Sequence, residues 1–135
     1  PGPTLMNKRP KPSAVIFAKD VEALANFYLE VAEMTLVQSD RHKAVLDEDG
    51  FQLVIHDIPD SIAESITINT PPEVREETPI KICIPVNTID GARSKARALG
   101  GRVADKAHEW FARGFRACDA YDLEGNVFQV RESAD

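Results

Sequence analysis

The side chains best suited to chemistry in this chain are three histidines, two cysteines and a single tryptophan. His42, His56 and His108 share neither helical i,i+4 spacing nor any other ligand pattern, so they do not by themselves form a metal site. His56 closes a β-rich run and is a candidate general base at a pocket rim, although the pattern identifies no acidic partner to orient its ring. Cys83 and Cys118 each lie in an apolar, strand-like run, which predicts small buried thiols rather than nucleophiles. Two cysteines without a Cys-x-x-Cys pair make neither a disulfide framework nor a zinc ribbon. Asp47 and Asp49 are paired carboxylates, but they fall in a turn and read as solvated. Neither a Gly-x-Ser-x-Gly turn nor a phosphate-cradling glycine loop is present. Trp110, in His108-Glu-Trp-Phe111, offers an indole that either stacks on a planar or cationic ligand or plugs the sheet as a core aromatic.

The elements that must position these groups are bounded by length and composition. A chain of 135 residues, 43% hydrophobic, can bury a substantial core without disulfides. Its net charge of −6 repels phosphate backbones and anionic lipid, which argues against nucleic-acid and membrane partners. The one basic cluster, Lys8-Arg9-Lys11, lies in an arm over residues 1–12. Of that arm, residues 1–5 precede the first methionine and are candidates for a non-native extension. The apolar run Ala14–Ala18 is too short for a signal peptide or a membrane span, which leads us to expect a reduced, cytoplasmic protein.

The pattern over 13–135 reads as one domain of two modules. Ala14–Ala18 is strand-like, and Asp20 caps a helix with Val21, Leu24, Ala25, Tyr28 and Val31 on one face. Strands are predicted at Thr35–Gln38, Lys43–Leu46 and Phe51–His56. A Pro- and acid-rich connector over 58–78, with room for one short helix, separates this module (about 13–57) from a second (about 79–132). There the order returns: strand Ile80–Ile84, a helix capped by Thr88 and stopped at Gly100-Gly101, then strands Arg102–Asp105, Phe115–Tyr121 and Asn126–Arg131. Asp20, Val21, Leu24 and Val31 map onto Thr88, Ile89, Ala92 and Leu99 at one constant offset, so the chain is a duplicated βαβββ unit.

Three segments carry a resemblance: Asp20-Val-Glu-Ala-Leu-Ala-Asn-Phe-Tyr28, Ala98-Leu-Gly-Gly101 and Asp122-Leu-Glu-Gly-Asn-Val-Phe-Gln129. In this order and spacing the chain resembles the vicinal oxygen chelate superfamily, which includes glyoxalases, ring-cleaving dioxygenases and bleomycin-resistance proteins. The resemblance implies an α+β fold in which two tandem βαβββ modules form half-open sheets around a shared cavity. It also implies four metal-ligand positions, which fall on Ser13, Lys81, Gln129 and Val54, with Gln52 on the same face if the strand register slips by two. Valine has no donor atom, a serine hydroxyl is a poor ligand, and a lysine ammonium repels a cation. The expectation is therefore a metal-free member without a cofactor, lacking the Lewis acid of the family's enzymes.

Cavity candidates are then Gln52, Val54, His56, Lys81, Trp110 and Gln129, with Phe17, Cys83 and Val127 as apolar lining. Lys81 either pairs with an anionic ligand or snorkels to solvent, and Gln129 either binds a ligand or satisfies the sheet. The expected function is that of a bleomycin-resistance-like binding protein, a homodimer sequestering an aromatic or cationic small molecule. The alternative is a glyoxalase-like lyase or isomerase, either metal-dependent through misaligned ligands or metal-free through His56, Lys81 or Glu109.

Overall fold

A computed structural model describes residues 9–135; the first eight residues of the expected arm lie outside the described residues. The first module runs β1 (Ser13–Ala18), α1 (Val21–Val31), β2 (Thr35–Ser39), β3 (Lys43–Glu48) and β4 (Phe51–Asp57). Asp20 caps α1 as predicted, its side chain accepting the Ala23 N–H at 3.0 Å. The strands form a sheet in the order β1-β4-β3-β2, with β1 parallel to β4. The connector holds one short helix, α2 (Asp60–Ala63).

The second module repeats this plan with β5 (Ile82–Pro85), α3 (Ile89–Ala98), β6 (Arg102–Val103), β7 (Trp110–Phe111), β8 (Phe115–Tyr121) and β9 (Val127–Ser133). Its sheet order is β5-β9-β8-β6, with β7 also on β8 and β5 parallel to β9. The duplication read from the sequence is thus a duplication of topology.

Local boundaries differ from the predicted ones for physical reasons. The strand expected from Ile80 begins at Ile82, because Pro79 has no N–H and the Ile80 N–H turns to the Thr78 hydroxyl at 3.4 Å. The strand expected over Arg102–Asp105 ends at Val103, where the Ala104 carbonyl accepts from Arg93 Nε at 2.8 Å. A 3₁₀ turn over Lys106–His108 then feeds β7, which the pattern did not separate from its loop.

The two long helices, α1 and α3, each cover one face of their own sheet and pack against one another. Phe27, Tyr28 and Phe128 meet edge-to-face there, with ring centroids 5.2–5.9 Å apart. A Cβ on Gly101 would sit 2.5 Å from the Phe27 ring, so only glycine permits this approach.

The turn Asp122–Asn126 ties the modules together. Asp122 is fully buried and accepts the Tyr28 hydroxyl at 2.6 Å, the Glu124 N–H at 2.9 Å and the Asn126 N–H at 3.1 Å. Buried Glu124 reaches back to the entry of α1, accepting the N–H groups of Lys19 and Asp20 at 2.9 Å each. Gly125 (φ +88°) lets the connector pass, since a Cβ there would overlap the Glu73 carbonyl.

Burial raises the Tyr28 phenol well above its usual value of 10.0, and neighbouring Asp122 adds to the effect. Burial also raises the Asp122 carboxyl, against the hydrogen bonds that lower it. Both groups therefore favour folding in their neutral forms, and that contribution is lost as pH rises through each raised folded value. For Tyr28 the loss begins only above pH 10. Tyr28 is expected to ionise only as the protein unfolds in alkali, seen as phenolate absorbance rising together with loss of circular dichroism. Tyr28→Phe should abolish that coupled step and lower stability by about 1–3 kcal/mol in denaturant titrations.

Candidate ligand-binding site

With one face of each sheet against its helix, the other faces are open, and the cross-strand register shows what they carry. On the first sheet Ser13 pairs with Gln52, Val15 with Val54 and Phe17 with His56. Val15 and Phe17 are more than half exposed, at 51% and 58%. On the second sheet Cys83 pairs with Gln129, Gln129 with Asp119, and Trp110 and Arg131 flank Ala117 on one row. Lys81 lies just before β5 and reaches Asp119 at 3.0 Å. The six candidates thus fall into two groups of three: Gln52, Val54 and His56 on one sheet, Lys81, Trp110 and Gln129 on the other. A hollow of about 360 Å³ belongs to the second sheet, lined by Lys81, Asp119, Tyr121 and Val127 with Val74 and Thr78 of the connector.

Several side chains play roles other than those the pattern proposed. Cys83, expected to be buried, is exposed; period two places it on the open face, between Ile82 and Ile84 whose side chains turn the other way. Cys118 is buried as expected, and burial pushes its thiol up, against the hydrogen bond from Arg93. Asp47 is tied to Lys11 at 2.9 Å and to Gln52 at 3.4 Å, and the Lys11 bond holds its carboxyl below the usual range. Glu109, weighed as a catalytic base, is only 3% exposed and locked to Arg93 at 2.6 Å, with Arg116 at 3.6 Å. It anchors the start of β7 instead.

His56 does have an acidic neighbour. Its Nδ1 lies 2.9 Å from the Asp57 carbonyl and 3.1 Å from the Asp57 carboxylate, while His42 Nδ1 meets the same carboxylate at 2.7 Å. The adjacency of His56 and Asp57 in the chain was the available signal. Arg131 was also missed, though period-two counting from Gln129 puts it on the same face.

The metal positions implied by the resemblance do not fit a divalent cation. Val54 offers no donor, Lys81 is an ammonium paired with Asp119, and Ser13 and Gln129 supply only neutral oxygens. Among the described residues, no three His, Cys, Asp or Glu side chains are placed to hold a metal. Nor is any helix among them long and apolar enough to cross a membrane.

Two βαβββ modules, each closing a sheet by a parallel first-and-last strand pair, are the architecture of the vicinal oxygen chelate superfamily. Within it the chain belongs to the glyoxalase-like domain family, whose pattern it matches over residues 13–131. Among solved structures it is similar to a glyoxalase/bleomycin resistance protein/dioxygenase family enzyme from Burkholderia phytofirmans (TM-score 0.65, 16% identity, 90% of this chain and 96% of that one). It is also similar to a mutant of the fosfomycin resistance protein FosX from Listeria monocytogenes, complexed with Mn(II) and 1S,2S-dihydroxypropylphosphonic acid (TM-score 0.63, 14% identity, 94% and 91% covered). A third is the bleomycin resistance determinant encoded on transposon Tn5 (TM-score 0.58, 12% identity, 94% and 100% covered). No curated protein matches the chain in sequence.

The Arg93–Glu109 pair makes a testable demand. Without Glu109, Arg93 keeps Asp90 at 2.7 Å and the Ala104 carbonyl at 2.8 Å but loses its shortest charge-assisted bond, which costs about 1.5–3 kcal/mol. Glu109→Ala should therefore lower the denaturant midpoint steeply and shift the emission of Trp110, the sole tryptophan, to the red before global unfolding.

Proposed function

We propose that this protein binds a small aromatic molecule without a metal and releases it chemically unchanged. The observation that carries this reading is the donor set: a salt-bridged lysine and a valine stand where the family's enzymes need ligands. What remains on the open faces is an apolar and aromatic surface, Val15, Phe17, Val54 and Trp110, with sparse polar groups such as Gln52 and Gln129 to orient a guest. The likeness to a bleomycin resistance determinant supports the same reading.

A homodimer follows from the same exposure. Val15, Phe17 and Trp110 are uncovered in a single chain, and a second copy can lay its complementary face over them to complete each cavity. The guest and the partner are thus enclosed by one surface.

Three measurements test this. Sedimentation velocity should give a dimer. Elemental analysis of protein purified without chelator should find far less than one zinc, nickel, iron or manganese per chain; a stoichiometric metal overturns the metal-free reading. A thermal-shift and Trp110-fluorescence screen of small aromatic compounds should find a saturable ligand that mass spectrometry recovers intact.

One observation favours a second reading, a metal-free lyase or isomerase. The Asp57 carbonyl and carboxylate hold His56 Nδ1, which orients the ring with Nε2 as the proton acceptor beside Phe17, 5.9 Å away between ring centroids. Solvent-deuterium exchange into the bound ligand, lost in His56→Gln, would establish that reading in place of the first.

A further inference from the structure

We propose that the open face of the second sheet grips an anionic group, and that Arg131 is the residue that holds it; the site's ligand is then an aromatic carboxylate. The inference rests on the small-molecule reading above and narrows it, setting aside the cationic guest that the sequence left open.

Arg131 is built unlike an ordinary surface arginine. Its Nε donates to Gln129 Oε1 at 2.7 Å, and Gln129 is itself only 7% exposed. Gln129 is fixed in turn by donating through Nε2 to Asp119 at 3.3 Å. The guanidinium lies over the Phe115 ring, 4.4 Å from its centroid, so both its plane and its inner edge are set. Among the described residues, no acceptor meets its two terminal nitrogens.

A guanidinium held at Nε and stacked on a ring, with its outer edge open, presents parallel N–H donors to a planar two-oxygen acceptor. Asp119, the carboxylate on the neighbouring row, is already engaged by Lys81 and Gln129. Arg113 adds a second cation over Phe115, at 5.3 Å, so the local field is positive on a chain that is negative overall. Trp110 stands across Ala117 from Arg131 on the same row and supplies a flat wall. One end of this row suits a carboxylate, the other an aromatic ring.

Benzoate, phenyl phosphate and benzylamine form the test set, followed by Trp110 fluorescence and equilibrium dialysis with the full chain, wild type, Arg131→Lys and Arg131→Met. Benzoate should quench Trp110 saturably, and its affinity should fall about tenfold or more in Arg131→Met. Arg131→Lys should recover only part of the loss, because the charge returns without the fork. Phenyl phosphate binding more tightly than benzoate overturns the carboxylate assignment, and benzylamine binding in preference to both overturns the anion site. Benzoate binding equally to wild type and Arg131→Met removes Arg131 from the site. A change of oligomeric state in Arg131→Met, with benzoate affinity per folded dimer unchanged, assigns the arginine to the subunit interface and also overturns the proposal. If no compound binds at all, the small-molecule reading fails and takes this one with it; if binding occurs but ignores Arg131, only this one fails.

Discussion

Everything in this molecule is referred to one buried turn. Asp122 and Glu124 lie two residues apart, yet they serve different parts of the first module: Asp122 takes the Tyr28 hydroxyl and Glu124 takes the backbone entering α1. Two carboxylates buried side by side would be costly if unpaired; here their oxygens accept bonds from four backbone N–H groups and two side chains. This fixes α1 to the β8–β9 turn of the second module. Because each long helix lies on one face of its sheet, the turn also decides which faces are left open. The open faces are in this sense a by-product of the latch: they are what the helices do not cover.

Much of this was legible in the chain. The caps Asp20 and Thr88, the stop at Gly100-Gly101 and the constant offset between halves are local signals, and local physics reproduces them in the structure. Less legible were consequences of distant packing. Glu109 looked like a candidate base because nothing in its neighbourhood shows that Arg93, on another element, will close over it. Cys83 looked buried because isoleucines flank it on both sides; only the pleat separates Ile82 and Ile84 from it. The division of the six candidates into three on each sheet was readable from the module bounds, and the register within each sheet sets the face that each presents. Asp57 and Arg131 were readable too, by adjacency and by period two.

Charge follows the same division between average and local. The excess of acid is partly structural: Asp122 and Glu124 are spent inside, Glu109 on Arg93, and Glu132 accepts the Ile89 N–H at the start of α3 at 2.7 Å, where a carboxylate also meets the helix dipole. Several acids of the connector face solvent, where salt screens them. Against that background the second sheet's open face carries Lys81, Arg113 and Arg131 with Asp119 as its cross-strand carboxylate. An ion approaching this face responds to those few charges at short range more than to the net −6.

The replacements at the family's metal positions are then not simple losses. A lysine at 81 reaches Asp119, and Asp119 holds Gln129, whose other amide atom orients Arg131. The exposed Lys81–Asp119 pair adds little stability, since both partners are near half exposed. Its consequence is geometric: it keeps Asp119 turned toward Lys81 and Gln129, and so away from the outer edge of the guanidinium. Where a metal would have drawn oxygen ligands inward toward one point, this chain runs a row of side-chain bonds along the sheet from Lys81 to Phe115. Such a row distributes a modest positive field over a flat surface, and the proposed binding of a planar molecule rests on that arrangement.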